Sequence, residues 1–177
     1  MPGWFTTSEA RLQLRAIGSR QELNPVIIDL NELLDSRRDL LREVAGPDAE
    51  VMFRPGDELE QVYADPVQLE RVIVDLVLHS RSAMLSGGTV TVETASVDFG
   101  QNGRSRRSGG GRRVMLAIGD TGGETGDENG DRLGLGLATV YGVVHQSGGS
   151  IGIESEPGEG TTVRIYLPVA EVLAALG

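Results

Sequence analysis

Cysteine is absent from the 177 residues, which excludes disulfides and thiolate metal sites. Aromatic residues make up only 4%, so the core has to be assembled from Val, Leu, Ile and Ala. No apolar run approaches the roughly 20 residues that span a bilayer. The start, Met1-Pro-Gly-Trp-Phe-Thr-Thr7, has no basic region leading into an apolar stretch. Neither a signal peptide nor membrane contact by this segment is expected, and a cytoplasmic location follows by default. Positive charge is also in short supply. A net charge of −10 repels a phosphate backbone and argues against nucleic-acid binding. The exception is local, in Gln101–Arg113, where arginines lie among glycines and serines. Without an aromatic side chain for base stacking, this segment reads as a solvated loop; the alternative is a phosphate-seeking arm.

What is present suffices for one domain with a sizeable core. A short helix is expected over residues 9–20, interrupted by Asn24-Pro25, and then a brief strand, Val26–Leu30. A helix N-capped by Asn31 should run to Gly46-Pro47, followed by strand-like segments at Val51–Phe53 and Gln61–Tyr63. Asp65-Pro66 marks a helix start, a capping carboxylate before a proline at the first helical position, and the helix should reach about Leu85. Strands are expected at Thr89–Val97 and Val114–Ile118, then a glycine-rich acidic stretch over 119–131. A helix from about Gly136 to Gln146 and strands Ile151–Glu154 and Thr161–Leu167 complete the chain. Alternating elements that end in clustered strands predict an α+β fold, a two-layer sandwich of a mixed sheet with helices on one face.

Three features bear on chemistry. On the central helix Gln68, Arg71, Asp75, His79, Ser82 and Ser86 recur every three or four positions, which gathers them on one face. That face is either the solvent side of an amphipathic helix or the wall of a polar cavity. Asp120, at a strand end before Thr121-Gly122-Gly123, is placed to accept a hydrogen bond from a ligand amine, with glycines allowing close backbone approach. A turn-forming aspartate explains the same residues equally well. Leu133-Gly-Leu-Gly-Leu137 stands at an expected helix start, where free amides can cradle phosphate. Glu156-Pro-Gly-Glu-Gly-Thr-Thr162 is at minimum a hairpin turn.

Taken together, in order and spacing, these motifs resemble the Bergerat-type ATP-binding fold shared by histidine kinases, type II topoisomerases and some chaperones. Asp65-Pro66-x-Gln-Leu-Glu-Arg-Val72, Gly87-Gly88, Gly134-Leu-Gly-Leu-Ala-Thr-Val-Tyr-Gly142, Gln146-Ser-Gly-Gly149, Glu156–Thr162 and Ile165-Tyr-Leu-Pro168 are similar to those of sensor histidine kinases. The resemblance covers about residues 24–168, and residues 10–22 look like the tail of the preceding dimerisation helix. It implies a division into an N-terminal remnant, 1–23, an ATP-binding domain, 24–170, and a tail, 171–177. ATP or ADP is the implied ligand and magnesium the implied cofactor. A histidine-bearing dimerisation domain, a response regulator and a homodimer are the implied partners. By the same resemblance Asp120 binds the adenine amino group, Gly122 shapes the pocket, Thr161 or Thr162 supports the base, and Gly134 and Gly136 sit beside the phosphates.

The chain departs from the family pattern in three places. Asp75 and His79 stand where the family carries two asparagines, the second of which helps to hold magnesium. An imidazole is a poor substitute for an amide oxygen on that ion, so a weak or lost magnesium site is expected. Asp75 has three readings: a general base that activates water, a carboxylate ligand to a metal, or a partner of His79 four residues on. The lid, Gly123–Leu133, is short and acidic and has no aromatic residue, so it is ill suited to gripping a triphosphate. The only other histidine, His145, reads as a surface residue, and neither lies in the acceptor motif of the family. The resulting expectation is an ATP-binding kinase domain with impaired transfer to a histidine supplied from elsewhere. The alternatives are an inactive pseudokinase acting through protein contacts and a weak ATPase that uses Asp75.

Overall fold

The computed structural model describes residues 22–100, 111–122, 130–156 and 158–170; the helix expected over residues 9–20 lies outside them. Strand β1 (Val26–Ile28) pairs antiparallel with β3 (Val62–Ala64) in a two-stranded ribbon. The main sheet takes β2 (Ala49–Arg54), β4 (Gly88–Asp98), β5 (Arg112–Asp120), β6 (Ser150–Glu156) and β7 (Gly160–Pro168) in the order β2-β4-β5-β7-β6. Among the described residues β2 and β4 pair parallel and the other neighbours antiparallel, so the sheet is mixed.

Register decides which side chains meet the helices. Val90, Val92 and Thr94 sit opposite Asp120, Ile118 and Leu116, and Leu116 and Ile118 in turn oppose Ile165 and Val163. These residues are buried on one face, against Leu69, Val72, Ile73, Leu76 and Val77 of helix α3 (Pro66–Ala83) and Val140, Val143 and Val144 of helix α4 (Gly130–Gln146). Each of the buried Val, Leu and Ile side chains contributes about 1.5–3 kcal/mol by leaving water. On the other face Glu93, Ala117 and Arg164 lie in line across β4, β5 and β7, and Arg164 forms an ion pair with Glu154 of β6. This is the expected α+β architecture, a mixed sheet with helices packed on one face. Among the described residues no helix is long and apolar enough to cross a membrane.

The helix expected from Asn31 to Gly46 is instead two. Asp29 caps α1 (Leu30–Ser36), its carboxylate accepting from the amides of Asn31 and Glu32. Arg37 leaves helical geometry before α2 (Arg38–Ala45), while its guanidinium reaches Glu70 of α3 at 2.8 Å. Asn31 is taken up by a longer-range tie: its amide donates to the Gly56 carbonyl and its oxygen accepts from buried Thr94 at 2.6 Å.

The expected start of α3 is observed. Buried Asp65 accepts from the amides of Val67, Gln68 and, across the chain, Asn24. These bonds hold its pKa below the ordinary carboxylate value, the Asn24 bond contributing most and burial opposing. Asp65→Ala is expected to cost about 1–2 kcal/mol in urea unfolding. A depressed pKa stabilises the fold above the unfolded value of 3.8, so the gap between wild type and variant should narrow as pH falls below it.

Candidate functional site

Asp120 ends β5 on the helix-facing side of the sheet and is only 8% exposed. Its Oδ1 accepts from the amides of Gly122, at 3.0 Å, and Thr161, at 3.4 Å, and its side chain is also hydrogen-bonded to Ser80 of α3. Burial pushes its pKa up, and the bonds from Ser80, Gly122 and Thr161 and the nearby His79 oppose that shift. The carboxylate is therefore held in place by donors yet short of solvation, the condition in which an incoming donor gains most.

The local backbone explains this position. A Cβ on Gly122 would lie 2.5 Å from the Ala83 carbonyl oxygen, so the chain leaving β5 runs directly against the end of α3. Thr121 closes the sheet edge, its hydroxyl accepting from the Thr89 amide while its own amide donates to the Thr89 carbonyl.

Beside this carboxylate, Asp75, Leu76 and His79 of α3 and Leu137 and Val140 of α4 line a small, open cleft. The polar stripe of α3 thus divides: Asp75 and His79 face the cleft, and Arg71 and Ser82 are solvent-exposed. Burial lowers the pKa of His79, and the charge of Asp120 opposes the shift. Burial raises that of Asp75, opposed by Arg71. The charges that act on the two are thus Arg71 on Asp75 and Asp120 on His79.

Three other residues are placed differently from expectation. Thr162 opposes Gly119 and Glu154, on the face of the sheet away from the helices, so its side chain cannot reach the Asp120 side; Thr161 supplies its amide there, and its hydroxyl bonds Ser155. Helix α4 begins at Gly130, not near Gly136. Only the first four amides of a helix lack an internal acceptor, so Gly134 and Gly136 lie beyond the free amides. The apolar spacing Leu133, Leu137, Val140, Val144 carries the helical period back through the glycines. Lid residues 123–129 lie outside the described residues.

The sequence pattern of the histidine kinase-, DNA gyrase B-, and HSP90-like ATPase family matches residues 64–171. The chain belongs to this family. Within it, this ATP-binding domain is of the sensor histidine kinase type, as its relatives indicate. It is 36% identical over 172 residues to sensor kinase CckA of Brucella abortus, a match covering 88% of this chain and 18% of that protein. It is 31% identical over 155 residues to sensor histidine kinase ZraS of Escherichia coli, covering 80% of this chain and 30% of that one. The domain thus spans less than a third of either relative. Its fold is similar to that of full-length ShkA, solved in complex with AMPPNP, with a TM-score of 0.68 and 22% identity over 92% of this chain and 35% of that one. The mycobacterial sensor histidine kinase MprB gives 0.60 and 23%, over 84% of this chain and 98% of that one.

Magnesium, which such a domain implies, prefers six oxygen donors in octahedral array. The cleft wall of this ATP-binding domain offers one carboxylate, Asp75, and one imidazole, His79. Among the described residues no three Asp, Glu or His side chains converge on a metal position. This donor set does not fit magnesium well.

Ser80 was not foreseen as a site residue. The signal was present in the buried register Leu69, Ile73, Leu76, Ser80, where a lone hydroxyl interrupts an apolar stripe. Such a group has to find a partner, and Asp120 is that partner.

Proposed function

We propose that this domain binds ATP or ADP with the adenine amino group on Asp120 and transfers the terminal phosphate inefficiently to a histidine supplied by another segment. A response regulator would then receive the phosphate. The observation that carries this reading is the buried Asp120 carboxylate, fixed by Gly122, Thr161 and Ser80 beside the cleft between α3 and α4. A cytoplasmic location belongs to the same reading, because ATP is supplied there.

The phosphate half supports impairment. His79 replaces a hard oxygen donor, and Gly134 and Gly136 are enclosed in α4. Phosphoryl transfer depends chiefly on positioning and charge neutralisation, so the rate should suffer more than the affinity. The same His79 favours a second reading, a pseudokinase that works through protein contacts.

Calorimetric titration with ATP and ADP is expected to show binding that magnesium strengthens little. No binding at millimolar nucleotide would overturn the nucleotide reading. Slow labelling of a supplied histidine-bearing dimerisation domain is expected of the kinase, and none of the pseudokinase. Phosphate release without an acceptor, lost in Asp75→Asn, would indicate hydrolysis instead.

A further inference from the structure

We propose that Asp75 and His79 form a metal-selecting pair that makes this cleft prefer a nitrogen-accepting transition ion, such as manganese or cobalt, over magnesium when nucleotide is bound. The proposal rests on the nucleotide reading above, since the phosphates supply the remaining oxygen ligands.

The two side chains are one helical turn apart on α3 and line the same cleft. Two ligands at that spacing on one helical face are a recurrent way to chelate a divalent ion. A carboxylate serves magnesium and transition ions alike, so Asp75 alone selects neither. The imidazole does select. Its nitrogen is a good ligand for cobalt, nickel or zinc and an acceptable one for manganese, while magnesium dehydrates reluctantly and favours oxygen. Charge also requires an ion here. Asp75 would place a negative group on the wall that a polyphosphate has to approach, and a divalent cation between them removes the repulsion. The departure at position 79 is in this view a change of metal rather than only a loss.

The test is a cycle of nucleotide affinities, measured by calorimetry with a non-hydrolysable ATP analogue on wild type and His79→Asn, each with cobalt, with magnesium and in EDTA. The intrinsic preference of the nucleotide for one ion cancels between the two proteins. The cobalt-to-magnesium affinity ratio is expected to be about ten-fold higher in wild type than in His79→Asn. A second readout needs no variant. Pulsed electron paramagnetic resonance of the manganese–nucleotide complex of the wild type should show coupling to a protein nitrogen. Binding with equal ratios in the two proteins, or a manganese spectrum with oxygen ligands only, would overturn this inference and leave the nucleotide reading intact. Absence of nucleotide binding with every ion and in EDTA would overturn both.

Discussion

Asp120→Asn should bind adenine nucleotides about ten- to one-hundred-fold more weakly than wild type and yet unfold at the same or a higher temperature. The first half follows from donor and acceptor identity. The oxygen that asparagine retains stays on the Gly122 and Thr161 amides, which already converge on Oδ1. The position of the second carboxylate oxygen becomes an NH₂, so a ligand amine arriving there meets a donor instead of an acceptor. Ser80 can exchange its roles as donor and acceptor and accommodate the change.

The second half follows from linkage. Burial raises the folded-state pKa of Asp120 above 3.8 despite the donors around it. The folded state therefore binds the proton more tightly than the unfolded state. The stability this confers is complete below pH 3.8 and is lost as pH rises through the raised value. At neutral pH the domain carries an ionised group it would be more stable without, and the asparagine variant does not. The difference in melting temperature between variant and wild type should widen as pH rises from 3.8 and then level off. Calorimetry for binding and thermal unfolding over pH check the two halves separately. If stability and affinity fell together, Asp120 would be a structural turn residue.

How far the sequence alone reveals this arrangement depends on the range of the interaction that decides each element. The start of α3 was legible because Asp65 and Pro66 act on their own helix within one turn. The strands around Val92 and Ile165 were legible because alternation survives burial on one face. Asn31 was misread as a cap because its partners, Gly56 and Thr94, lie 25 and 63 residues away, and Asp29, two residues earlier, takes the capping role. At the site, Asp120 was legible from its position at a strand end. The choice between Thr161 and Thr162 was not, because a shift of one residue reverses the face and only the pairing with β5 fixes which is which. The start of α4 lies six residues earlier than expected because Gly134 and Gly136 read locally as a helix start, whereas the apolar spacing runs through them.

The turn between β6 and β7 carries the largest expected effect on folding. Gly160→Ala should destabilise the domain by about 3 kcal/mol or more, and Gly158→Ala by about 1–2 kcal/mol. Both glycines have positive φ, +83° at Gly158 and +114° at Gly160, so both substitutions incur backbone strain. They differ in their surroundings. A Cβ on Gly158 meets nothing within 4 Å, whereas one on Gly160 would lie 1.8 Å from the Asp120 carbonyl oxygen and 2.8 Å from its carbon. Those are backbone atoms, which cannot rotate away as a side chain can. Relief requires β7 to separate from the end of β5, and that movement withdraws the Thr161 amide from the Asp120 carboxylate. Gly160→Ala should therefore weaken nucleotide binding as well as folding, even at temperatures where most of the protein remains folded, while Gly158→Ala leaves the affinity unchanged. Urea unfolding of the two variants, with calorimetry on the folded fraction, measures both effects. Equal destabilisation by the two substitutions would mean that β7 does not press against Asp120, and that the carboxylate owes its position to Ser80 and Gly122 alone.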